Sequence, residues 1–181
     1  MINSMKGFTL VETLVAVLML SLAIAGPLTI ASKGLNATVV AKDQFVSFYL
    51  AQDAMEYVRF ARDSACLVAG GGATGCPSAS WLSSLSPCVS TNGSASCYFD
   101  SLGTNPAIAT ACSGTCPAMR YDSTLRVFNY NASVPITPQN FVRTVSIKND
   151  PGGTSPDEAL VTITVSWSDI AGVVHAPITI R

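Results

Sequence analysis

FTLVETLVAVLMLSLAIAGPLTIA, residues Phe8 to Ala31, decides how the rest of the chain is read. It holds 24 residues and one charge, Glu12. As a helix it spans about 36 Å, enough to cross a hydrocarbon core of about 30 Å. A carboxylate inside such a span costs about 2.5–3.5 kcal/mol on insertion scales, so an acid there is seldom incidental. Directly upstream lies MINSMKG, a short polar leader with Lys6 and a closing Gly7. The junction reads Lys6-Gly7-Phe8-Thr9-Leu10-Val11-Glu12.

This junction resembles the processing motif of type IV pilin-like proteins, a family of pilins, minor pilins and secretion pseudopilins. Leader, glycine-aromatic junction, spaced acid and unbroken apolar stretch coincide here. The resemblance implies cleavage between Gly7 and Phe8 by a prepilin peptidase, N-methylation of Phe8, and assembly directed by Glu12. Cleavage would free an α-amine at Phe8, an ammonium at neutral pH. An ammonium and a carboxylate are each costly in lipid and much less so together. Phe8 and Glu12 are four residues apart and so share a helix face. A carboxylate on a neighbouring subunit serves equally well, and Glu12 then sets the axial register of an incoming subunit.

Two plainer readings compete. In a secretory signal peptide, Ala23-Ile24-Ala25 is the cleavage sequence and Lys6 the positive region. Glu12 then falls inside the apolar core, and the run continues past Ala25 through Leu28 and Ile30. A simple anchor leaves the Gly7-Phe8 junction unexplained.

The chain has 181 residues, one domain plus an anchor by length. Its net charge of −1 and lack of a basic run argue against nucleic acid as a partner. Six cysteines, Cys66, Cys76, Cys88, Cys97, Cys112 and Cys116, fall in a Gly/Ser/Pro-rich segment. An even number so placed reads as a disulfide framework in an oxidising compartment. Six cysteines allow 15 pairings and the spacing does not choose among them; nearest neighbours are the expectation. Irregular gaps and one distant histidine, His175, weigh against a zinc module.

Beyond Ala31 the helical pattern continues. Gly26-Pro27 predicts a kink. Leu35, Val39, Val46, Tyr49, Leu50, Met55 and Val58 form an apolar stripe, and the helix is expected to end near Ser64. FYLAQDAMEYVRFARD, Phe48 to Asp63, also resembles the second helical half of PilV-like minor pilins. Trp81, Leu82 and Leu85 suggest a helical turn, and Cys97 to Phe99 a short strand. Strands are expected from about Tyr121 to Tyr130, around Val145 and Ile147, over 161–167 where Val, Ile and Trp alternate with Thr and Ser, and from Val173 to Arg181.

The expected fold is α+β and pilin-like: a long kinked helix on a four-stranded antiparallel sheet, with a disulfide-rich loop between them. The segments are a leader at 1–7, a membrane or filament-core helix at 8–31, its amphipathic continuation at 32–65, the cysteine-rich loop at 66–117 and the sheet at 118–181. No catalytic constellation stands out, and neither enzyme activity, cofactor nor metal is expected. The resemblance implies a minor pilin that sits once across the cytoplasmic membrane, amino terminus inside, before joining a surface filament. Other pilin subunits, the peptidase and the bilayer would be its partners. A type II secretion or competence pseudopilin is the alternative within the class. Outside it stands a membrane-anchored adhesin using Trp81, Tyr98 and Phe99.

Overall fold

The computed structural model describes residues 7, 9–68, 82–101, 109–135, 139–149, 158–170 and 172–181. One helix, α1 (Leu10–Val68), precedes a 3₁₀ turn (Ser83–Cys88). Eight strands follow among the described residues: β1 (Val89–Ser90), β2 (Cys97–Tyr98), β3 (Thr110–Ala111), β4 (Arg120–Asp122), β5 (Val127–Asn129), β6 (Val142–Asn149), β7 (Ala159–Ser166) and β8 (Ile178–Ile180). The chain divides into two compact units, Met1–Lys42 and Asp43–Arg181, and α1 runs through both.

In the first unit every described residue from 9 to 39 is exposed. The helix is long and apolar enough to cross a membrane. It passes Pro27 without a break, although Pro27 offers no N–H to the carbonyl of Ala23. Its hydroxyls turn back onto the helix: Ser21 donates to the Val17 carbonyl at 2.8 Å and Thr29 to Ala25 at 2.9 Å. Thr13 does the same to Leu10 at 2.9 Å. Side chains satisfied this way do not demand water or another helix.

In the second unit α1 becomes amphipathic. Leu50, Ala51, Ala54, Tyr57, Val58 and Ala61 are buried at helical spacing. Three of them are alanines. They share one core with Val145 and Ile147 of β6 and Ile163 and Val165 of β7. β6 and β7 pair antiparallel over eight residues, with Val145 opposite Ile163 and Ile147 opposite Val161. Burying each of these branched side chains contributes about 1.5–3 kcal/mol.

Four expectations need correction. Among the described residues the main sheet has six strands, not four: β3-β2-β6-β7-β8, with β1 also on β6. The extra strands come from the cysteine-rich segment, which lines the free edge of β6. Val89 pairs parallel with Ile147, and Cys97 pairs antiparallel with Val145. The strand expected at 121–130 folds on itself instead. Asp122 Oδ1 accepts N–H bonds from Thr124 (2.8 Å) and Leu125 (3.1 Å), making a tight turn. β4 and β5 are therefore a separate two-stranded sheet. The last strand shortens to Ile178–Ile180, since Pro177 has no ladder donor and a turn occupies 168–174. The helix runs to Val68 rather than Ser64, so Cys66 lies in its last turn.

Candidate functional site

The site is built from the first turn of α1. Helix N-termini leave backbone N–H groups without partners. Thr9 precedes the first helical residue, and its Oγ1 accepts a bond from the N–H of Glu12 at 3.3 Å. Thr9 and Glu12 thus have the S/T-x-x-E spacing of a capping box, of which the Thr9 half is formed. A negative side chain in the first turn also suits the helix dipole.

Glu12 is exposed, and its carboxylate has no hydrogen bond or ion pair among the described residues. Around it Leu10, Val11, Leu14 and Val15 are exposed as well. A carboxylate on an apolar, lipid-compatible surface is a group that waits for a cation. Gly7 is exposed, with open space where a Cβ would stand. Phe8, the other half of the expected cleavage junction, lies outside the described residues.

A second polar assembly holds the second unit together. Arg143 is fully buried on the inner face of β6. One of its terminal nitrogens donates to Asp53 Oδ2 at 2.7 Å and to the Leu50 carbonyl at 3.2 Å. The other donates to the Phe99 carbonyl at 2.9 Å. The guanidinium also lies 5.4 Å from the centre of the Phe99 ring. Ser101 donates its hydroxyl to the same Asp53 oxygen at 2.6 Å. Helix, sheet and the segment after β2 are thereby fixed to one cation. Tyr130 lies deep beside it. Burial pushes its phenol above the usual value of 10.0, while Arg143 pulls the other way.

The cysteines form Cys88–Cys97 and Cys112–Cys116 disulfides, both between nearest neighbours. Cys88–Cys97 is wholly buried and ties the start of β1 to β2, both of which lie on β6. Cys112–Cys116 closes a five-residue ring around Gly114, whose φ of +87° suits glycine. Cys66 is disulfide-bonded too. Cys76, its nearest-neighbour partner, lies outside the described residues.

His175 is half-buried. Its ring stacks on Trp167 at 5.7 Å and its Nε2 lies 3.4 Å from Asp169 Oδ2. Of the aromatic residues considered for ligand contact, Phe99 is core, packed on Tyr57 at 4.5 Å. Tyr98 packs against Tyr130 with the rings tilted and their centres 4.9 Å apart, and Trp81 lies outside the described residues. Among the described residues no cluster of His, Cys, Asp and Glu is arranged to hold a metal. No protein-family model, curated protein or solved structure matches the chain.

Proposed function

We propose that this chain is a structural subunit, a minor pilin, of a type IV pilus or related filament. One observation carries the proposal: α1 exposes an apolar surface on all sides over residues 9–39, and Glu12 is the only acid on it. Lipid satisfies that surface before assembly, and the helices of other subunits satisfy it afterwards. Neither lipid tails nor apolar side chains satisfy Glu12, so the acid selects a partner that brings a cation. The Lys6-Gly7-Phe8 junction supplies one, the α-amine left at Phe8 by prepilin peptidase. The amino terminus then faces the cytoplasm and Asp43–Arg181 the oxidising side, where disulfides persist.

The test is the composition of surface filaments. Cells expressing the tagged chain are sheared, and the filaments are collected and digested. Peptides of this chain should co-purify with filament subunits and vanish when the peptidase is deleted. Recovery only from membranes, with and without peptidase, overturns the proposal. The partners captured from membranes, pilus proteins or secretion-system proteins, separate a pilus from a pseudopilus.

A further inference from the structure

The second unit carries an apolar projection and an apolar groove at opposite ends of one strand. β7 runs from Ala159 to Ser166, so its ends are about 23 Å apart at 3.3 Å per residue. After its last residue the chain makes a tight turn. Asp169 N–H donates to the Val173 carbonyl at 3.0 Å, and Gly172 N–H to the Asp169 carbonyl at 2.9 Å. Val173 N–H donates to Asp169 Oδ1 at 2.8 Å, and His175 N–H to the Trp167 carbonyl at 3.1 Å. The His175 ring on Trp167 braces the base. This cross-linked turn exposes three branched aliphatic side chains: Ile170 is 71 % exposed, Val173 55 % and Val174 75 %. Such side chains on a preorganised turn lose little entropy on docking.

At the other end of β7 lies a groove of about 320 Å³ between α1 and the sheet. Met55, Val58 and Leu160 give it an apolar lining, and its charged groups are Arg59, Arg62 and Arg181. Arg59 and Arg62 pair with Glu56 and Asp63 in exposed contacts, which hold side chains only weakly. The turn carries one charge, the acid Asp169. An aliphatic turn with an acid at its base thus complements an apolar groove with a basic rim.

We propose that Ile170, Val173 and Val174 of one copy dock in the groove of a second copy. The contact is heterologous, since knob and groove are different surfaces at opposite ends of the strand. Such contacts propagate rather than close when no rotation brings them round. This rests on the filament reading and adds that the chain meets its own kind through its second unit. One turn in one groove falls short of the surface that stable complexes of free molecules bury. It acts once the helices have raised the local concentration.

The test uses the full chain in cells, with Val174 replaced by p-benzoyl-phenylalanine. Equal amounts of light and nitrogen-15-labelled chain are co-assembled. After irradiation, membranes and sheared filaments are digested separately. The expected product is a mixed-isotope cross-link from position 174 to a peptide holding Met55–Arg62 or Ala159–Val161. Ile170→Asp in the same chain should lower its yield about tenfold, the equivalent of 1.4 kcal/mol. A cross-link from 174 to 174, to lipid or to another protein overturns the contact. So does the absence of a mixed-isotope product from both fractions. Absence of the chain from filaments, with the cross-link present in membranes, overturns the filament reading and leaves the contact standing.

Discussion

The two parts of α1 make opposite demands on their surroundings with the same backbone. Residues 10–42 expose nearly everything they carry, whereas over 43–68 six residues are buried in a core. No change of secondary structure marks the boundary. What changes is where the apolar side chains lie: on all sides of the first part, on one stripe of the second. A one-striped helix is satisfied by its own sheet; an all-round apolar helix is satisfied only by lipid or other helices. Polar groups divide in the same way. Arg143 and Asp53 are partnered inside the fold, whereas Glu12 is not. The molecule thus separates a self-sufficient unit from one that has to be completed from outside.

The comparison breaks most visibly at Glu12. Glu12→Gln keeps the side chain's size and cap position but removes the charge. Insertion should be unchanged, because the span becomes less polar, while the chain disappears from sheared filaments. Quantifying the chain in membrane and filament fractions checks this, and wild-type levels in filaments would sink it.

In the second unit the largest expected loss is at Arg143. Arg143→Ala strips a buried cation from Asp53 and two carbonyls and opens a cavity, at a cost of about 3–5 kcal/mol. Denaturant unfolding followed by Trp fluorescence measures it, and membrane insertion should not change. Next comes Cys88→Ser with Cys97→Ser, expected to cost about 2–4 kcal/mol by releasing β1 and β2 from each other. The double variant should unfold earlier than wild type in oxidising buffer and lose that difference under reductant.

The smallest effect is at Tyr130. Its phenol is held above its ordinary value, chiefly by burial. A raised folded pKa means the folded state keeps the proton longer. The associated stability is whole below about 10 and is lost as pH rises through the folded value. Tyr130→Phe should flatten the alkaline end of a stability–pH curve and leave neutral pH little changed. An unaltered alkaline slope would show that another group carries it.

Much of this division was legible in the sequence. The apolar run of 8–31 and the stripe through Leu50 and Val58 announce the two parts of α1. Val145 and Ile147 alternate with Thr144, Ser146 and Lys148, and the long β6–β7 pair follows from that alternation. The same parity places Arg143 inward beside Val145. Thr9-x-x-Glu12 was readable as a cap for the same reason. The partner of Arg143 across 90 residues, Asp53, was not readable, since nothing local ties a helix acid to a strand cation. Strands β1, β2 and β3 are two residues each, too short to show a period. Their places are fixed by the edge of β6 and by Cys88–Cys97, neither of which leaves a local pattern.

The most direct test of the filament account is the mass of the amino-terminal peptide of the chain from its native membrane. The account predicts a first residue of Phe8 bearing one added methyl group. A chain beginning at Gly26, or one still beginning at Met1 in a host with active peptidase, would contradict it.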